Sequence, residues 1–561
     1  MEALTYRLDN VTLAEHVAGG RTAPFSSEMR RLATLLPRLQ SSMLRAQNAA
    51  ASIHRLPIEI LAHIFGIAGM KGWQSLGLQP SRITTQLSMV CHHWRQVALG
   101  FPNLWSTIYL HDGAIYDFQF ATLCLERSKH APLSIIISTL FRGAQIANFF
   151  APYSSRIHEI SILVPFKYSS SNVPLYLLST CAFQAPKLQT LRLCTAMWGS
   201  MECPTLPTLF GGDIPNVTHL QVESFSSWPG HSFTGLTHLA LGSQSQYDVR
   251  PPMDAFLDFL EANPRLEELL LDDAGPVDGL QIDRKVALPH LRLAYFITTL
   301  PERGMPACVL PHLILSADCS IRTYRDMNPS RLDELLPSPF PLGVAPAGGA
   351  LSVDRMWLRE DSYEFGETAL RYSAVSRSAG ISTSYRLRGS DPRSSWPEGA
   401  LLIFLKAVPR PQIRQLRISM AVTLNSFAEK EWRNVFDRLP GLQELTVQEH
   451  HLPSILRALM HREPTQHRGL PCPLLSTLYL LRTRDLDCDQ LMRFGEDRLA
   501  PWRVFKRLVI SPSAEISVCD VQRLCSVFPR VDILKRHEEP IFEEPVEMTR
   551  PPFGKDTSIV C

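Results

Sequence analysis

A template with fixed internal spacing recurs along this chain and constrains its fold more than any other feature. It reads proline, any residue, apolar, two mostly polar residues, apolar, any residue, apolar. It fits Pro186-Leu188-Leu191-Leu193, Pro215-Val217-Leu220-Val222, Pro264-Leu266-Leu269-Leu271 and Pro289-Leu291-Ala294-Phe296. It fits again at Pro411-Ile413-Leu416-Ile418, Pro440-Leu442-Leu445-Val447 and Pro473-Leu475-Leu478-Leu480, and without the proline at Leu236-Leu239-Leu241. Neighbouring units, taken at the first apolar position, lie 29, 19, 30, 25, 29 and 33 residues apart. The last two apolar positions of each unit alternate, so they share one side of a short strand. A lone strand cannot hide that side, and stacking of units supplies the shelter. Residues 252–263, with Phe256, Leu257 and Leu260, are predicted to return as a helix, as are residues 434–439 and 453–460.

The period is similar to that of leucine-rich repeats. The units are irregular and lack the asparagine ladder of the strict consensus, so the expectation is an open curved sheet. Residues 319–381 break the rhythm, with Val353-Met356-Leu358 as one degenerate strand. Residues 337–350 are rich in proline and glycine and read as a linker or projecting loop. The tail from His537 onward, with Glu-Glu-Pro repeats, is expected to be disordered or loosely laid on the repeat end.

Composition narrows the function classes. With 561 residues, 45% hydrophobic and 20% charged, the chain has material for large cores. Its 56 basic and 54 acidic side chains create no bulk field for nucleic acid, and none is expected as a partner. The start, MEALTYRLDN, lacks the basic and apolar regions of a secretory signal, so an intracellular location, cytoplasmic or nuclear, is expected. Apolar runs such as 64–70 and 400–405 are far below the roughly 20 residues of a membrane span, so no membrane partner is expected. The 12 cysteines form no CxxC pair, which argues against a zinc ribbon or a dithiol site and for small core residues.

The N-terminal part is helical by pattern. Met29, Leu32, Leu35, Leu36, Leu39, Met43 and Leu44 place one stripe on a helix over residues 26–51, where Pro37 predicts a kink or two shorter helices. That stripe is expected to pack on the next domain. Pro57 suits a first helical turn and Glu59 complements the helix dipole there. Leu56, Ile60, Leu61, Ile64, Phe65 and Ala68 then carry more apolar surface than a solitary helix can cover. A second helix is expected through Leu87, Val90, Cys91, Trp94, Val97 and Ala98, ended by Gly100 and Pro102, with Leu104 and Trp105 as a plug.

The run Leu56-Pro57-Ile58-Glu59-Ile60-Leu61, then Ile64-Phe65, Leu87-Ser88-Met89-Val90-Cys91-His92-His93-Trp94-Arg95 and Phe101-Pro102-Asn103-Leu104-Trp105, resembles an F-box. It is most similar to the F-box-like version common in large families of mushroom-forming fungi. The departure is residues 69–86, longer and richer in glycine than the usual link, which leaves the middle helix unplaced. The resemblance implies a three-helix module that docks on the Skp-type adaptor of a cullin-RING (SCF-type) ubiquitin ligase. Leu56, Pro57, Ile60, Leu61, Ile64, Val90, Cys91 and Trp94 are the candidate adaptor-binding residues.

The expected fold is therefore α+β: a small helical F-box module followed by an irregular leucine-rich-repeat-like α/β solenoid. The expected parts are an N-terminal helical segment (1–51), the F-box-like domain (52–110), the array (111–336), the linker (337–350), its continuation (351–536) and the tail (537–561). No catalytic, cofactor or metal site is expected. Gly230-His231-Ser232-Phe233-Thr234-Gly235 misses a nucleophile elbow by one place. His92 and His93 are about 100° apart on a helix, which favours a solvent-facing pair or an interface over shared ligation, as for His450 and His451. Asp272, Asp273, Gln221 and Glu223 follow repeat strands and are candidates for a concave edge.

Three functions compete on these grounds. The first is a substrate receptor that binds the adaptor by its helical module and an unidentified target protein by its repeats, with no bond chemistry of its own. The second is a repeat scaffold without a ligase role. The third, a hydrolase using Ser232, predicts turnover abolished by Ser232→Ala.

Overall fold

A computed structural model describes residues 23–76, 80–111, 117–138, 143–164, 173–195, 206–327, 353–387, 401–538 and 544–549, with further interruptions inside several of these stretches. The chain divides into two compact units: Met1–Tyr109 with Ile115–Leu133, and Leu110–Ala114 with Ser134–Cys561.

The first unit is helical. A single helix spans Ala23–Ala50 with Pro37 inside it, so of the kink or two shorter helices expected there the chain does not divide into two. Its stripe does not pack on a neighbour either: Leu32, Leu35, Leu39 and Met43 are exposed. The next helices are Ile58–Leu76, Pro80–Leu87 and His92–Gly100, followed by a 3-10 turn at Pro102–Trp105. The single helix expected through Leu87 and Val97 is thus two, divided at residues 88–91. A turn at 88–90 follows the first, and Cys91, extended, caps the next through its Sγ, which accepts the Trp94 N–H at 3.4 Å. Leu61, Ala62, Phe65, Val97 and Ala98 form the core, flanked by Leu87, Trp94, Phe101 and Leu104. Trp105 closes it, fully buried, with Nε1–H donating to the Ala98 carbonyl at 2.7 Å and the Arg127 guanidinium 4.3 Å above its ring.

The second unit is an α/β fold built on a large, mostly parallel sheet. Strands Ile157–Val164, Thr190–Thr195, His219–Glu223, His238–Gly242, Glu268–Asp272, Leu293–Thr298 and Ser320–Met327 pair in chain order, each parallel to the next. Ser320–Met327 then pairs in parallel with Gly380–Leu387, which runs antiparallel to Thr368–Val375, itself antiparallel to Arg355–Ser362. From Arg355–Ser362 the parallel order resumes through Gln415–Ser419, Glu444–Gln448, Thr477–Thr483, Arg507–Pro512 and Val531–Ile533. The stretch read as a break in the rhythm therefore supplies three strands and the start of a fourth. Val353-Met356-Leu358 is buried as the degenerate strand expected there, whereas Thr368–Val375, antiparallel to both of its neighbours, follows no repeat spacing.

Each template unit contributes all its apolar positions to the core. Leu188, Leu191 and Leu193 are fully buried, as are Leu442, Leu445 and Val447. Two more units lack the proline: Ile157-Ile160-Ile162 and Phe505-Leu508-Ile510, equally buried. Helices at Val173–Thr180, Met253–Glu261, Glu429–Phe436, Leu452–Leu459, Cys488–Arg498 and Val518–Val527 connect successive strands. The helix expected at 434–439 starts earlier, at Glu429, whose carboxylate in the first turn suits the positive end of the dipole.

One asparagine does alone what a ladder does in regular repeats. Asn263 is fully buried; its Oδ1 accepts the Leu236 N–H at 2.8 Å, and its Nδ2 donates to the carbonyls of Phe233 (3.1 Å) and Phe259 (2.9 Å). Asn263→Ala leaves those backbone groups without partners in a dry interior. The expected cost is about 2–3 kcal/mol, read as a lower midpoint in urea unfolding at unchanged slope.

The last described segment corrects another expectation. Residues 544–549 do not trail loosely: Pro545 and Met548 are buried and the Glu544 side chain is 1% exposed. An acidic, proline-containing stretch reads as disordered by composition, and here burial of Pro545 and Met548 and the arginines facing Glu544 order it. The linker at 337–350, Ser232, His450 and His451 lie outside the described residues.

Candidate adaptor-docking surface

The surface forms because one helix carries two apolar stripes and can bury only one. Along Ile58–Leu76, Leu61, Ala62 and Phe65 face the core, while Ile60 is 48% exposed, Ile64 38% and Ile67 36%. The exposed set recurs at three and four residues, so it lines one side of the helix. Exposed Pro57 and Ile53 continue it N-terminally, and half-buried Leu56 sits behind them.

A second strip comes from the turn before His92. Met89 and Val90 are exposed at 73% and 60%. This turn is tied back to the first strip, since Cys91 Sγ lies 3.6 Å from His54 Nε2 and the His54 and His93 rings are 5.0 Å apart. The fold therefore brings residues 53–57 and 89–91 together from 37 positions apart in sequence between His54 and Cys91.

Three of the sequence candidates change role. Leu61 is fully buried among Phe65, Val97 and Ala98, so it holds the core and has no surface to offer a partner. Its position one residue after Ile60 turns it about 100° inward. Cys91 caps a helix, and Trp94 stacks tilted on Phe65 with ring centres 5.0 Å apart. Pro57, Ile60, Ile64 and Val90 are the candidates the structure leaves uncovered. Ile53, Ile67 and Met89 were missed, although Ile67 continues the spacing set by Ile60 and Ile64. A cavity of about 440 Å³ opens beside the same helix, with Glu59, His63, Phe65, Ile67, Phe101 and Leu104 in its lining.

The sheet of the second unit offers a different surface on the face opposite its apolar rows. Glu159, Thr190, His219, His238 and Glu268 stand in register across successive strands. Arg192 pairs with Glu159, the His219 and His238 rings stack 4.1 Å apart, and His238 Nε2 lies 3.6 Å from a Glu268 carboxylate oxygen. Burial, then His238 and Arg192, pull the His219 pKa down to about 4 from 6.5. A base depressed in this way binds its proton more readily unfolded, so it withdraws stability as pH falls from 6.5 towards 4. The expected result is a urea midpoint that declines across that window and declines less in His219→Phe. Gln221 and Asp273 serve the fold: Gln221 donates to Glu223 at 2.8 Å, and Asp273 accepts the Thr299 N–H at 2.8 Å.

Farther along, two guanidinium groups lie over the Trp357 ring, Arg359 at 4.5 Å and Arg417 at 5.2 Å from its centre. A cavity of about 600 Å³ adjoins this region, lined by Asp354, Arg355, Arg377, Gln415, Glu544 and Pro545. Among the described residues, no three His, Cys, Asp or Glu side chains converge as metal ligands. No described helix is long and apolar enough to cross a membrane. Of the described cysteines, Cys124, Cys181, Cys194, Cys319 and Cys472 are buried, while Cys519 and Cys525 are exposed. Burial pushes the Cys319 and Cys472 thiols up to about 12, far from the thiolate a nucleophile needs.

The small helical core leaves an apolar stripe uncovered on its surface. Residues 53–111 are an F-box-like domain, matched by the family model of that description. No curated protein matches the chain. Among solved structures, the crystal structure of the Rad7 and Elc1 complex in yeast is similar at 11% identity, covering 96% of this chain and 99% of that chain. Its TM-score is 0.22, so the likeness carries no argument.

Proposed function

We propose that this chain is the substrate-recognition subunit of a cullin-RING (SCF-type) ubiquitin ligase. The F-box-like domain docks a Skp-type adaptor, and the sheet, an irregular leucine-rich-repeat-like solenoid, holds a target protein. The observation that carries this reading is the uncovered stripe of Pro57, Ile60, Ile64 and Ile67 on a domain whose core is filled without it. A contiguous apolar strip on a folded domain marks a docking site for another polypeptide. The subunit makes and breaks no bonds in this role; it raises the local concentration of target lysines at the transfer site.

Affinity capture on the full chain and on a chain without residues 53–111 tests the proposal. The adaptor is expected only with the full chain, and target proteins with both. Equal adaptor recovery from both would reject the receptor reading and leave a repeat scaffold.

A further inference from the structure

Along the first helix of the chain an apolar row stays in solvent. Of residues 30–50 in the helix Ala23–Ala50, all but Leu36 are exposed, and the exposed set includes Leu32, Leu35, Leu39, Met43 and Leu44. A helix in a protein is held chiefly by packing of its apolar face, and an apolar row of this length left in water is a surface for another chain.

The spacing says what that chain is. Phe25, Met29, Leu32, Leu36, Leu39, Met43, Ala46 and Ala50 are separated by four, three, four, three, four, three and four residues, from one end of the helix to the other. These are the a and d positions of a heptad, and a strict seven-residue repeat keeps its row facing a second helix that winds around the first. On a flat surface such as a bilayer the row would drift by about 20° per heptad, or roughly 70° over this length. Pro37 falls at b, off the seam. Charge agrees with spacing. Arg30, Arg31, Arg38 and Arg45 take b and c positions on the far side, and the e and g positions beside the seam hold Glu28 as their one charged residue. An acidic partner would need those arginines at the contact, whereas a copy of the same helix needs them away from it.

Side-chain size selects the orientation. Laid antiparallel on itself, the seam sets Phe25 against Ala50, Met29 against Ala46, Leu32 against Met43 and Leu36 against Leu39. Large positions meet small ones at both ends, so the seam keeps an even width. Parallel pairing would set alanine on alanine at positions 46 and 50 and leave voids there. Antiparallel pairing also opposes the two helix dipoles.

We infer that this helix pairs antiparallel with the same helix of a second copy, forming an isologous coiled-coil dimer. At ~1.5 Å per residue the rod of 28 residues is about 42 Å long, and it carries an F-box-like domain at each end, because residues 53–111 follow its C-terminus directly. The dimer does not depend on the receptor reading; it adds that two adaptor-docking surfaces are held apart on one assembly.

Sedimentation equilibrium of the full-length chain tests the pairing, and twice the chain mass is expected at micromolar concentration. Leu36→Glu and Leu39→Glu each place carboxylates in the seam and should weaken dimerisation at least ~100-fold. Leu39 is exposed in the single chain, so Leu39→Glu should keep the helix content and thermal transition of the unaltered protein. Arg38→Glu, between the two but at c, should leave the dimer intact. Mixtures read the orientation: Leu32→Glu with Met43→Lys should recover at least ~10-fold of the affinity each variant loses alone, and Leu32→Glu with Leu32→Lys should not. A monomeric unaltered chain, a dimer indifferent to both seam carboxylates, or rescue by the second mixture in place of the first would overturn the inference. Flotation of a monomeric chain with phosphatidylserine vesicles would give the row to a bilayer instead. Adaptor capture is measured on the same samples. A dimer that captures no adaptor rejects the receptor reading alone, and a monomeric unaltered chain that captures it rejects the pairing alone.

Discussion

Replacing Ile60 and Ile64 together by aspartate is expected to weaken capture of a Skp-type adaptor by at least ~100-fold while leaving the domain folded. Anchors of this kind each contribute about 2 kcal/mol or more at an interface, and a carboxylate placed there adds an uncompensated desolvation cost on binding. In the free chain the cost is small, because these side chains are 48% and 38% exposed and the core of Leu61, Phe65, Val97 and Ala98 does not involve them. Leu61→Asp is the contrasting case. It buries a charge in that core, so adaptor capture is lost together with the cooperative thermal transition. Calorimetric titration of the adaptor, paired with thermal melts, separates the two outcomes. Full binding by the folded Ile60/Ile64 variant would move the docking site elsewhere, to the Met89–Val90 turn or the cavity beside Phe101.

Arg498→Ala is expected to destabilise the second unit by about 3–5 kcal/mol, the range for stripping compensation from a buried polar network. The Arg498 side chain is 2% exposed and spends its donors on backbone: Leu459 at 2.6 Å, Pro471 at 2.7 Å and Cys472 at 3.1 Å. Leu459 ends one helix and Pro471 and Cys472 precede the next strand, so the guanidinium ties together consecutive parts of the array. Gly495, one turn earlier, permits the accompanying close approach; a Cβ there would lie 2.6 Å from Val527 and 2.8 Å from Phe528. Arg498→Lys keeps the charge but lacks the planar fork that reaches three acceptors, so it should recover only part of the loss. Urea unfolding followed by tryptophan fluorescence gives the size of the effect, and hydrogen exchange should place it in strands Thr477–Thr483 and Arg507–Pro512. A change below about 1 kcal/mol for Arg498→Ala would mean that water replaces the lost donors.

The parallel strands were legible because their signal is local. Three apolar side chains within six residues, followed by a return helix, bury the same face wherever they occur, and Leu266-Leu269-Leu271 does so in the structure as the spacing requires. The proline was a convenience of the turn, and reliance on it hid Ile157-Ile160-Ile162 and Phe505-Leu508-Ile510. The antiparallel insert at 355–387 was less visible, since its partners are chosen by register between strands and not by any repeat within them.

The docking surface was half legible for a related reason. Periodicity places Ile60, Leu61, Ile64 and Phe65 on one amphipathic helix, but it does not say which apolar side the rest of the domain will cover. That choice belongs to Val97 and Ala98, with Trp94, Phe101 and Leu104 beside them, which pack on Leu61 and Phe65 and leave Ile60 and Ile64 outside.

The amino-acid sequence alone determined the alternation of strand and helix, the helical module at its front and the apolar rows that make stacking obligatory, all of which follow from side chains within a few residues of one another. Only the tertiary structure decided that Cys91 meets His54, that Arg498 binds three carbonyls and that Glu544 lies on Arg359 and Arg371. These depend on groups meeting across tens to hundreds of positions, where charge and hydrogen bonding act through space and leave no period in the chain.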